Sequence, residues 1–322
     1  MVNAINAYSQ SVLTQTSTSQ LDETDNDKTN TPNRTSGEQT EIIDHVDISA
    51  EAQELAKADQ AKNATLDAKV AYFEQFRPTR EGFSSRNIAL GIVDPSAQPF
   101  SQHRSFEDVA QAARENMDSK YEQMRESGEP FGTDNFEGKE WYSLMGDLDR
   151  RALYAVASNE GGSFSKEEQD IASNIMSGQQ GMAMGLYNGP TRLAGEFHAP
   201  LPTTNADHMR NYKAGVQFMD QVSIEEQATS VEWAYQRGSM QYSYEHIARS
   251  EGQIPDDMRT DNPLVNLVID ALEAQENSPE LMFSDADISS KEELLDEPWF
   301  KGYEDRLDDA IEQTRTLYSS SE

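Results

Sequence analysis

Twelve consecutive residues, Ala157-Ser158-Asn159-Glu160-Gly161-Gly162-Ser163-Phe164-Ser165-Lys166-Glu167-Glu168, carry the sharpest local chemistry in the chain. Two adjacent glycines permit a tight turn, while Asn159, Ser165 and Glu168 offer oxygen atoms of the kind that hard cations take as ligands. The same residues read as a helix stop on Gly161-Gly162 followed by a Ser165-x-x-Glu168 capping box, which needs no ligand at all. A second candidate is Glu196 with His198, which share one face of an extended, Pro-flanked segment and so pair a carboxylate with an imidazole at a cleft rim. The five histidines, His45, His103, His198, His208 and His246, include no His-Glu-x-x-His and no close pair with zinc spacing. Gly-x-Ser-x-Gly, P-loop and Gly-x-Gly-x-x-Gly motifs are absent. With 58 acidic residues, carboxylate pairs arise anywhere by chance and single out no glycosidase-type site.

The segment from Ala157 to Glu168 resembles an EF-hand loop. The resemblance places Gly162 at the turn position, Phe164 at the apolar eighth position and Glu168 at the bidentate twelfth, with Asn159 third and Ser165 ninth. It implies a calcium site, weakened because Ala157 stands where the family has Asp and Gly161 supplies no side-chain oxygen. A second patch, Phe283 to Glu292, aligns Ile288 and Glu292 with the same positions but has Ala286 in place of the turn glycine. There Ser289 reads as the cap of a short helix with Glu292 at its third position.

Positioning these residues falls to helices. From Met1 to about residue 45 the chain is rich in Ser, Thr, Asn and Gln and nearly without large aliphatics, which predicts a disordered polar leader. Its composition resembles the secretion signals of type III substrates. A short Ser-x-Glu-Ala start within Val46 to Ala56 is similar to one in flagellar anti-sigma factors, and covers too little to carry a function. Leu66, Val70 and Phe73 continue at helical spacing until Arg77-Pro78. The aliphatic patch Ile88 to Val93 is the best strand candidate. Ser105 with Asp108 opens a helix whose stripe is Val109, Ala113, Met117, Tyr121 and Met124, stopped by Gly128. Trp141 to Val156 reads as one helix, Ile171 and Ile175 mark the next, and Met176 to Pro190 reads as irregular. A helical block from Ala206 to Ser250 is interrupted at Ser223, which pairs with Glu226 as a capping box. Asn262-Pro263 starts another helix, and Tyr303, Leu307, Ala310, Ile311 and Leu317 mark the last. The aromatic stretch Trp233, Tyr235, Tyr242 and Tyr244 reads as core, with a stacking platform as the alternative.

These elements predict a mainly α fold, an irregular multi-helix bundle over 46–322, with a subdivision placed near 186–205. The formal net charge is −32, from 26 Lys+Arg against 58 Asp+Glu, which disfavours nucleic acid and anionic membrane surfaces and favours cationic partners or metal ions. Adaptation to high salt is a third source of such acidity. There is no Cys, hence no disulfide or thiolate site. No run reaches membrane-spanning length, and the N-terminus lacks a Sec-type signal, so the expectation is a bacterial-type protein, cytoplasmic or exported by another route. The functional expectation is a non-enzymatic interaction or regulatory protein that binds a protein partner, with Ca2+ at a weak loop of Asn159, Ser165 and Glu168. The alternative is an enzyme using Glu196 and His198 in the loop near 196–208.

Overall fold

The computed structural model describes residues 71, 73–132, 139–187, 202–274 and 288–319. In chain order its helices are α1 (Arg86–Val93), α2 (Phe106–Glu126), α3 (Lys139–Met145), α4 (Arg150–Ala157), α5 (Lys166–Ala183), α6 (Asn205–Met219), α7 (Ile224–Thr229), α8 (Val231–Ser250), α9 (Pro263–Ala274), α10 (Lys291–Asp296) and α11 (Glu304–Ser319). Short 3-10 turns occupy Glu160–Gly162 and Pro298–Phe300. No strand occurs among the described residues, and the chain has a mainly α, multi-helix fold. No described helix is long and apolar enough to cross a membrane.

Side-chain caps decide where most of these helices start, because the first backbone N–H groups of a helix have no partner within it. The Ser105 hydroxyl accepts from the Asp108 amide, and Asn262 Oδ1 accepts from the amides of Leu264 and Val265, both at 3.0 Å, behind Pro263 in the first helical position. Ser165 with Glu168, Thr204 with Asp207 and Ser290 with Glu293 form reciprocal capping boxes on α5, α6 and α10. In α2 the predicted stripe turns inward, with Val109, Ala113, Met117 and Met124 buried, and Gly128 at φ +82° takes the left-handed conformation that ends the helix.

Two large apolar cores result, with a smaller cluster of Met209, Tyr244, Ile247 and Ala248 beside them. Residues of α1 to α5 and of the turn between α3 and α4, among them Ile88, Val109, Met117, Leu148 and Leu153, form the first. Residues of α6, α8, α9, α11 and the Pro298–Phe300 turn form the second, centred on Trp233, Val265, Val268, Trp299, Phe300 and Leu307. Met176 belongs to the first and Met184 to the second, so α5 and its C-terminal turn reach both. A buried ion pair fastens α4 to α7, with Arg150 Nη2 donating to Glu226 Oε1 at 2.6 Å and Nε to Oε2 at 3.1 Å. Beside it Arg151 donates from Nε to both Glu225 oxygens at 3.1 Å.

Several expectations need correction. Ile88 to Val93 lies in α1 and not in a strand, with Ile88, Ala89 and Gly91 buried. A short apolar run without alternation fits either element, and here Gln179 of α5 decides, packing on Gly91 and donating to the Ile88 carbonyl at 3.0 Å. The span from Trp141 to Val156 is two helices. Gly146 sits where a Cβ would strike the Ser84 carbonyl oxygen, and Asp149 caps a new start by accepting from the Ala152 amide at 3.0 Å. Asp149 is fully buried and also takes the amides of Phe100 and Ser101 at 2.9 and 2.8 Å and the Ser101 hydroxyl at 2.6 Å. Met176 to Ala183 is regular helix, and irregularity begins only at Gly185, φ +81°. The block after Ala206 breaks a second time, at Ser230, whose hydroxyl accepts from the Trp233 amide at 2.9 Å and opens α8. The cap expected at Ser289 and Glu292 is displaced by one residue to Ser290 and Glu293. The polar leader, the helix start at 46–56 and most of the boundary near 186–205 lie outside the described residues.

Candidate functional site

Ser158 ends α4, and Asn159 then adopts the left-handed region at φ 55°, followed by Gly161 and Gly162 at φ 70° and 69°. That sequence of positive φ values folds the chain back within one turn, which explains the two glycines. Asn159 Oδ1 accepts from the Phe164 amide at 2.9 Å, turning its oxygen into the loop's own brace. Phe164 is buried, with the Arg114 guanidinium 5.6 Å from its ring centre. Ser165 then caps α5, and the Glu168 carboxylate returns to the Ser165 amide at 2.8 Å.

Glu168 is also the meeting point of α2 and α5. Arg114 Nη1 lies 2.9 and 3.0 Å from its two oxygens, and the Tyr121 hydroxyl donates to Oε1 at 3.0 Å. Burial alone would raise the Glu168 pKa, but the Ser165 amide, Arg114 and Tyr121 together outweigh it and hold the carboxyl below its ordinary value. Tyr121 moves the other way, pushed up first by burial and then by the Glu168 charge. Sequence reasoning singled out Ser165 and Glu168 correctly as neighbours and missed Arg114. Arg114 and Tyr121 stand seven residues apart, on one face of α2 beside the buried stripe, but no local pattern ties that face to Glu168.

Asn159, Ser165 and Glu168 therefore sit together in one short segment, each with its oxygen engaged within the protein. Among the described residues no group of three or more His, Asp or Glu side chains is gathered where it could hold a metal ion. Glu196 and His198 lie outside the described residues. His208 is buried in α6, stacked on Tyr212 at 6.4 Å, and burial lowers its pKa. Trp233, Tyr242 and Tyr244 are buried, and Tyr235 stacks on Trp299 at 5.8 Å, so the aromatic stretch is core.

The charge is distributed unevenly. Arg80, Arg114, Lys120, Arg150, Arg151 and Arg237 are spent on internal ion pairs. Toward the C-terminus, Glu292, Asp296, Asp305, Asp309 and Glu312 are exposed and make no ion pair or side-chain hydrogen bond among the described residues. Asp305, Asp309 and Glu312 fall at i, i+4 and i+7, one stripe along α11, while Leu307, Ala310 and Thr314 occupy its buried side. No protein-family model, curated protein or solved structure matches the chain.

Proposed function

We propose that this chain is a non-enzymatic helical interaction protein that docks a basic protein partner on the acidic stripe of α11 and the adjoining α10. The observation that carries the reading is the asymmetry of pairing. Arg150, Arg151 and Arg237 are consumed inside the fold, whereas Asp305, Asp309 and Glu312 are exposed and make no ion pair among the described residues. Such a surface attracts a positive partner over a Debye length and adds to the field of a −32 chain. In this reading the Asn159 to Glu168 loop is a clamp between α4, α5 and α2. Calcium binding there is weak, since the ion must displace Arg114 and Tyr121 from Glu168.

The test is binding of the whole chain to an immobilised Lys/Arg-rich peptide, with a Glu-rich peptide as control. Saturable binding that weakens as salt rises, seen with the basic peptide alone, supports the proposal. Absence of saturable binding at low salt, or equal retention on both peptides, contradicts it.

A further inference from the structure

Between α8 and α9 the segment from Gln253 to Thr260 belongs to no helix or turn, and it holds the Arg259 side chain 82% exposed. The residues on either side of Arg259 are clamped to the helices. The Met258 carbonyl accepts from Arg237 Nη2 at 2.8 Å, and Arg237, 1% exposed, is itself fixed by the Asp220 carboxylate at 2.8 and 3.1 Å. The Thr260 carbonyl accepts from Asn266 Nδ2 of α9 at 3.0 Å, and the Thr260 hydroxyl accepts from the Asn262 amide at 3.1 Å. Upstream, the Asp256 amide donates to the Tyr244 hydroxyl at 3.1 Å and the Asp256 carboxylate pairs with Lys213.

Between these clamps the groups that a protease reads stay open. The Arg259 carbonyl, and the amide and carbonyl of Asp257, make no hydrogen bond among the described residues. The Arg259 guanidinium is paired with the exposed Asp257 carboxylate at 2.6 and 2.8 Å, an ion pair in water that is exchanged at little cost for a carboxylate in a closed pocket. A trypsin-like protease offers such a pocket, with an Asp at its base, and takes up an extended segment by main-chain pairing. A segment already held in place loses less conformational freedom when it docks.

We propose that the loop between α8 and α9 docks in the active site of a trypsin-like serine protease, with Arg259 in the primary specificity pocket, and that its two clamps make the chain a tight, slowly cleaved, inhibitor-like substrate. In the cleavage step the protease serine oxygen bonds to the Arg259 carbonyl carbon, the Arg259–Thr260 amide bond breaks, and the serine proton passes through the protease histidine to the Thr260 nitrogen. Arg237 and Asn266 keep the two ends side by side, so the Thr260 amine reforms the bond before water releases the acyl group. The site is separate from the acidic stripe of α11 and does not depend on it.

The test is binding of the full chain to trypsin whose nucleophilic serine is replaced by alanine, which removes digestion, followed by calorimetry and by displacement with benzamidine, a small occupant of the specificity pocket. The expected result is saturable one-to-one binding that benzamidine displaces, weakened about a hundredfold by Arg259→Ala and about tenfold by Asn266→Ala. Both residues are exposed, so neither variant empties a core, and circular dichroism checks their folding. Asp305→Asn/Asp309→Asn/Glu312→Gln should leave the binding unchanged, which separates pocket docking from attraction to the acidic surface. The proposal is overturned by absence of saturable binding, by binding that benzamidine does not displace, or by affinity that survives Arg259→Ala or Asn266→Ala.

Discussion

Glu168 carries more of the structure than any other residue of its loop. It satisfies one backbone donor of α5, pairs with Arg114 and receives the Tyr121 hydroxyl. Replacing it by Gln keeps part of the cap and removes the charge, leaving Arg114 with Asp118 as its remaining ionic partner. The expected loss is about 2 kcal/mol, read from the midpoint of urea unfolding. Because the folded carboxyl is held below its ordinary value, its contribution is full above the unfolded pKa of about 4.3 and is lost as pH falls through the lower folded value. The acid limb of the stability curve should therefore flatten in Glu168→Gln, and an unchanged limb would contradict this assignment. Thermal unfolding in excess calcium, excess magnesium and chelator should give no more than a marginal calcium-specific rise. A large one, abolished by Glu168→Gln, would make the loop a true metal site. The Ser-x-x-Glu spacing made Ser165 and Glu168 legible from sequence, since a capping box is local. Arg114 lies 54 residues away from Glu168, and no local rule joins them.

At the scale of elements, periodicity and caps identified α2, α5, α9 and α11 as helices, because their signals lie within the helix itself. The errors fall where a neighbour decides. Ile88 to Val93 is helical because Gln179 packs on Gly91, and the break after Met145 exists because Gly146 lies against the Ser84 carbonyl. Gly146→Ala should cost roughly 1–3 kcal/mol, since the obstacle is backbone that cannot rotate away. Asp149→Ala should cost about 3 kcal/mol, combining the lost α4 cap with the buried Ser101 amide and the half-buried Phe100 amide left without acceptors. Denaturant midpoints check both, and losses below about 0.5 kcal/mol, the range of ordinary surface substitutions, would remove the structural roles given to these residues.

Across the whole molecule, the two cores are coupled through α5 and through Arg150 with Glu226. Glu226→Ala leaves a guanidinium buried with no carboxylate partner and should destabilise by about 3–5 kcal/mol. Arg150→Met with Glu226→Leu should recover part of that loss, because neither buried charge then remains, and a double-mutant cycle measures the coupling. Equal losses in the single and double variants would show that the pair does not act as a unit. Composition made the acidity legible, and caps and periodicity the mainly α class, but the pairing of 76 residues' separation that joins the cores was beyond any sequence pattern. So was the distinction between spent and unspent charge, on which the docking proposal stands. The most direct test compares affinity for a Lys/Arg-rich peptide in three chains at matched ionic strength: unaltered, neutralised on α11 (Asp305→Asn, Asp309→Asn, Glu312→Gln), and neutralised on α2 (Glu107→Gln, Glu115→Gln, Glu126→Gln). Docking on α11 predicts about tenfold weaker binding for the first variant and less than about twofold for the second. Equal weakening in both would mean that only net charge matters and that α11 is not the docking face.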